Sequence, residues 1–210
     1  VAAVDSPGAL LVLAALGLVV PVLAVVATAF TRVLVVLGLL RSGLGVPDAL
    51  PAPVLGALAA VLTAVLMWPT AMEVNAAVTE TPGGLSDTGA VLQRAWPPLE
   101  RFLDAHTREA DRALIVEVAR TLDPAAQVTP LPPPHRVAAF ALSELTAAFR
   151  MGVLLLLPFL VVDLLVANTL VALGLGLLSP ALIALPFKLV LFLAADGFPM
   201  LLRGFARAYA

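Results

Sequence analysis

LSELTAAFRMGVLLLLPFLVVDLLVANTLVALGLGLLSPALIALPFKLVLFLAADG, residues 142–197, sets Glu144, Asp163, Lys188 and Asp196 in or beside some of the most apolar sequence of the chain. A charge surrounded by Leu, Val and Phe has no water for a partner, so each group must be neutralised, paired or turned towards a wet cavity. Glu144 and Lys188 come from different segments and are candidate partners for an ion pair, within one chain or between adjacent copies. The alternative is a hydrated Glu144 at a membrane boundary. Between Asp163 and Lys188 lie 24 residues without a charge, enough for one membrane-length helix of about 20 residues. Gly174, Gly176 and Ser179-Pro180 interrupt that run. Because Gly and Pro both break helical continuity, the expectation is two helices joined by a tight apolar loop rather than one span.

Composition points the same way. Of 210 residues, 61% are hydrophobic and 12% charged, with a mean hydropathy of +1.07, against about 25% charged in soluble domains. An integral membrane protein, or one held inside an apolar assembly, is implied. The net charge of -2 is too small to point to nucleic acid or to another strongly charged partner. The chain has no cysteine, which excludes a disulfide frame, a thiolate metal site and a cysteine nucleophile. Residues 1–30 lack the basic start and short apolar core of a secretory signal, so no cleavable leader is expected.

Along the chain, residues 9–40 are an apolar run broken by Pro21, Thr28, Thr31 and Arg32. It exceeds a simple span and is expected to bend at Pro21, whose ring removes a backbone donor. Arg32 either snorkels to headgroups or binds an acidic group of another helix. Residues 41–53, RSGLGVPDALPAP, read as a loop, with Asp48 solvated. Residues 54–72 read as a second apolar helix, whose Trp68 suits an interfacial belt or simple packing.

Residues 73–136 hold 15 of the 26 charged residues and both histidines, and read as water-exposed. Within them 81–89 is loop-like, and Trp96-Pro97-Pro98 ends one element and starts another. Leu99, Leu103, His106, Ala110, Ala113 and Glu117 then fall at helical spacing, with Asp104–Arg108 and Glu109–Arg112 as side-chain ion pairs. Pro124, Pro130, Pro132, Pro133 and Pro134 make an extended linker. Beyond it Pro158 is expected to kink the helix before Asp163, and residues 181–202 form a last element carrying Pro186 and Lys188, the only lysine. Arg203 and Arg207 favour a cytoplasmic or headgroup location. The expected fold is all-α: about four long apolar helices, kinked by Pro and arranged as membrane-associated hairpins in 1–72 and 137–210, with 73–136 an inserted soluble helical region.

Patterns for chemistry are missing. His106 and Glu109 are three apart, but a metal site needs three or four ligands and His135 sits among prolines. Ser143-Glu144 has no histidine in its own element, and the GLG of residues 174–176 lacks the strand and helix of a phosphate loop. Neither enzymatic activity nor a cofactor is expected.

The fragments ATAFTRVLVVLGLLRSGLGVP, HTREAD, LSELTAAFRMG, LLPFLVVDLLVAN and LSPALIALPFKLVLFLAADG, in this order from residue 27 towards the C-terminus, resemble the FliP/SctR family, a core subunit of the type III protein export gate in flagella and injectisomes. SELTAAF and LPFKLVLF followed by DG carry the specificity. The resemblance implies an all-helical subunit of the bacterial inner membrane. It implies a pentameric ring built with smaller subunits of the FliQ/SctS and FliR/SctT types, a pore entrance for unfolded secreted proteins, in which helical hairpins face other subunits rather than lipid. It also implies a pore loop, which family members build from consecutive methionines. Here that loop reads Leu173-Gly174-Leu175-Gly176-Leu177-Leu178-Ser179-Pro180, without methionine. Methionine adapts to many shapes around a passing chain. Leucine keeps the apolar seal, while Gly176 gives mobility and leaves a gap. A ring of Leu175 and Leu177, with Leu178 beside them, can still exclude water and ions.

Both branches of the family stay open: a start close to the first apolar helix is the injectisome pattern, whereas HTREAD resembles flagellar members. A rival reading is a small secondary transporter that binds an ion or solute at Glu144, Asp163 and Lys188, although residues 1–72 offer no counterpart to the charges of 142–197. A third is a scaffold that anchors a soluble partner through 73–136.

Overall fold

The structure, a computed structural model, describes residues 21–23, 25–46, 50–79, 88–125 and 128–210. All regular secondary structure among them is helical: α1 (Phe30–Leu44), α2 (Ala52–Leu66), α3 (Trp68–Thr79), α4 (Thr88–His106), α5 (Glu109–Leu122), α6 (Pro133–Ala172), α7 (Pro180–Ala194) and α8 (Gly197–Ala208). The expectations for residues 1–20, for Asp48 and for most of 81–89 lie outside the described residues. Two compact units are present, one comprising Pro69–Ser143 with the described part of Val1–Thr31, the other Arg32–Trp68 with Glu144–Ala210.

In the second unit, Val33, Val36, Leu37, Leu40 and Leu44 are buried at spacings of three and four, one stripe of α1. That stripe lies against α6 at glycines. A side chain at Gly43 would run into Leu156 and Phe159, and one at Gly152 into Leu39. This close approach is why α1 continues to Leu44 instead of giving way to a loop at Arg41. It ends at Gly45, whose φ of +75° is open to glycine without steric penalty. The chain before α1 is broken at residues 27–29; the turn in which Pro21 would bend it lies outside the described residues.

The second apolar helix is also divided. α2 ends at Leu66 and α3 begins at Trp68, because Pro69 cannot donate into the preceding turn yet is well placed at the start of a new helix. The last element is split too. α7 and α8 meet at 57°, around Asp196 with φ +50°, a left-handed residue of the kind Asp tolerates. Gly197 follows because the ring of Phe192 occupies the space a Cβ would need. Phe192 also meets Phe198 edge-on, with centroids 4.9 Å apart.

In the first unit, Trp96-Pro97-Pro98 does not separate two elements. Pro97 and Pro98 lie inside α4. Proline's fixed φ is itself helical, and Phe102 and Leu103 beyond the pair are buried, Phe102 against Phe140 with centroids 5.5 Å apart. Packing therefore carries the helix across two missing donors. The break comes later, at Thr107-Arg108.

α6 is 40 residues long, about 60 Å at 1.5 Å per residue and so twice the thickness of a hydrocarbon core. Pro158 lies within it without ending it. Among the described residues it is the one helix long and apolar enough to cross a membrane, and the total rises to three if the bent pairs α2–α3 and α7–α8 each form one span.

Candidate functional site

The turn between α6 and α7 is built by two local motifs. Leu175 N–H donates to Leu170 O at 2.8 Å and Gly174 N–H to Val171 O at 3.0 Å, the paired bonds of a Schellman cap, with Gly174 at φ +72°. A further turn follows, closed by Leu178 N–H on Leu175 O at 3.0 Å. Ser179 and Pro180 then open α7, the proline in its first turn. The left-handed position is thus Gly174, while Gly176 does not take a positive φ. Leu175, Gly176, Leu177 and Leu178 are all exposed, Leu177 completely. The result is a tight hairpin whose tip carries only apolar side chains and backbone.

Behind the tip the charges are tied inside the chain. Lys188 on α7, with 7% of its side chain exposed, donates to Asp163 Oδ2 of α6 at 2.7 Å and to Gly43 O of α1 at 2.9 Å. Glu144, completely buried, accepts from Arg32 Nη2 at 2.5 Å and, on its other oxygen, from the Tyr209 hydroxyl. The Arg32 guanidinium also lies over the Tyr209 ring, 4.7 Å from its centroid. Burial, and after it the Glu144 carboxylate, pushes the Tyr209 hydroxyl above the ordinary tyrosine range, which keeps it a donor. Glu144 and Lys188 are therefore both paired, but the structure does not bring them together. Each finds a nearer opposite charge, Arg32 and Asp163. Arg32 binds an acid on another helix, as one of its two expected roles required. Asp196 is exposed and acts through its backbone, at the bend between α7 and α8.

Sequence reasoning missed Tyr209. The only tyrosine of the chain, second from its end, was a possible signal. It also missed a second cluster, in the first unit. Arg108 grips Asp111 with Nε and Nη2 at 2.7 and 2.9 Å. Ser143 Oγ donates to Asp111 at 2.6 Å and accepts Arg108 N–H at 3.0 Å. The expected Asp104–Arg108 pair gives way to this clasp, and Asp104 faces Arg136 at 2.5 Å and Arg112 at 3.3 Å. Glu109–Arg112 is present at 4.0 Å, with Glu109 exposed. Arg108 and Asp111 of HTREAD and Ser143 of SEL thus form one polar network that fixes the α4–α5 turn to α6.

An all-α, membrane-associated protein with an apolar hairpin tip and internally neutralised charges is the class these features define. No nucleophile or metal cradle is needed to explain any of them. The model of the FliP family matches residues 12–205, and the chain belongs to that family. It is 41% identical to the "Pathogenicity-related ORF2" of Xanthomonas campestris pv. glycines, over 95% of each chain. It is 38% identical to the "Hypersensitivity response secretion protein HrcR" of Ralstonia nicotianae, over 95% of this chain and 96% of that one. With the "Flagellar biosynthetic protein FliP" of Bacillus subtilis it shares 34% identity over 98% of this chain and 93% of that one.

Proposed function

We propose that this chain is a core subunit of a type III protein export apparatus in the bacterial inner membrane, and that copies of it assemble a ring, five by family resemblance, through which unfolded proteins leave. The smaller partners are subunits of the FliQ/SctS and FliR/SctT types. The role is structural rather than enzymatic. Relatives named for secretion and for flagellar biosynthesis, at 38% and 34% identity, support the export role.

The observation that carries the ring is the unpartnered apolar surface of the α6–α7 hairpin. Only 17% of the most apolar window of α6 is buried in the chain, and Leu154, Leu164, Leu177, Leu182 and Val190 are all largely exposed. Monomers rarely carry so much contiguous apolar surface unless it faces lipid or another subunit. The buried charges do not demand sister molecules, since each has its counter-charge in the same chain. What asks for neighbours is the greasy outside. At the tip, a ring of Leu175 and Leu177 forms a constriction that closes by excluding water.

Native mass measurement in mild detergent tests the assembly, with the chain alone and with the two smaller subunits. A multimer that incorporates both is expected. A monomer that takes up neither contradicts the proposal.

A further inference from the structure

We propose that the groove between α6 and α8 binds an anionic phospholipid, its phosphate held by Arg203 and Arg207 and one acyl chain lying on the apolar floor. The groove encloses about 600 Å³ and is floored by Met151, Leu154 and Leu155 of α6 and by Met200 and Leu201 of α8. Gly204 gives it depth, since a Cβ there would meet the terminal methyl of Met151. Arg203 and Arg207 are four residues apart on α8, hence one turn apart on a single face.

Both arginines are exposed, and among the described residues neither joins an ion pair. Arg32, Arg101, Arg108, Arg112 and Arg136 each reach a carboxylate. The one acid on the groove is Asp196, at the opposite end of α8, about 10 Å along the helix from Arg203. It repels phosphate there and so sets the lipid's direction, head towards Arg207.

An apolar trough with cations at one end has the shape and charge of an amphiphile, which favours lipid over an acidic protein. α8 supports this, because it also exposes Phe198, Met200 and Leu202 beside its arginines, the composition of a helix lying at a membrane interface. The site does not depend on the ring.

The test titrates the full chain in mild detergent with phosphatidylglycerol or phosphatidylcholine and counts adducts by native mass measurement. One phosphatidylglycerol per chain is expected, bound at least about tenfold more tightly than phosphatidylcholine. Two basic side chains at an anionic membrane surface contribute roughly fivefold each, so R203Q with R207Q weakens binding about 25-fold. Leu154→Trp, which fills the floor and leaves the charges, removes the adduct as well. Equal uptake of both lipids, or binding unchanged in both variants, overturns the site. So does displacement of phosphatidylglycerol by an equimolar acidic peptide, which assigns the arginines to a protein.

Discussion

Replacing Arg32 with Leu leaves Glu144 buried opposite an apolar side chain. In the native chain Arg32 is 8% exposed and Glu144 0%, with the guanidinium 2.5 Å from the carboxylate. Removing one partner of such a pair costs about 3–5 kcal/mol, because the survivor keeps its desolvation penalty and loses its compensation. Tyr209 still donates one hydrogen bond to Glu144, which favours the lower half of that range, about 3–4 kcal/mol. A chain of this size loses about 2–4 °C of Tm per kcal/mol, so R32L should unfold roughly 6–16 °C below wild type in a thermal scan in mild detergent. The double variant R32M/E144L removes both charges, and replacing a buried pair by apolar residues is often neutral or stabilising. It leaves the Tyr209 hydroxyl without its acceptor, a loss of about 1–3 kcal/mol, which adding Y209F should recover. The triple variant is therefore expected within a few degrees of wild type. If R32L melts within 2 °C of wild type, about the shift of a surface substitution, or if the triple variant melts no higher than R32L, the pair is not what holds α1, α6 and the C-terminal residues together.

Three further outcomes follow from the same geometry. Lys188→Met should lower Tm by less than R32L does, because the Asp163 side chain it abandons is 38% exposed and can be rehydrated. Ser143→Ala takes the acceptor from Arg108 N–H and one donor from Asp111 Oδ2, which keeps Arg108 Nε, a loss of about 1–3 kcal/mol that a denaturant midpoint should register, and Ser143→Thr should recover part of it. Leu177→Asp, at a fully exposed position, should leave the chain's stability unchanged within about 0.5 kcal/mol while making a reconstituted gate leak ions. Unchanged conductance would take the loop out of the seal.

The hairpin of α6 and α7 was legible because its signals are local: a charge-free run, two glycines and a Ser-Pro step. Its tip was placed on the right residues for the same reason, although the left-handed glycine is Gly174 and not the one singled out for mobility. Errors came where long-range packing overrode local rules. Gly43 reads as a loop residue in isolation, yet it is the point at which α1 closes on Leu156 and Phe159. Pro97 and Pro98 read as a boundary, yet the buried Phe102 and Leu103 hold the helix across them. The charges showed that partners were required but not which ones. Arg32 and Glu144 are 112 positions apart, and no periodicity reports a contact at that separation. Aspartate and glycine of the DG step, in sequence only a mark of kinship, have a mechanical part in the structure, the bend between α7 and α8.

The ring itself is tested most directly by a single cysteine at the hairpin tip, in a chain that has no other. In Leu177→Cys purified with the smaller subunits, neighbouring tips around a constriction lie within disulfide reach, where Cα atoms approach to about 4.4–6.8 Å. Mild oxidation is expected to give covalent dimers of this chain that disappear on reduction. A Leu177→Cys thiol that stays wholly reduced in an intact complex, as that of Leu122→Cys at another exposed position does, would contradict a pore lined by this loop.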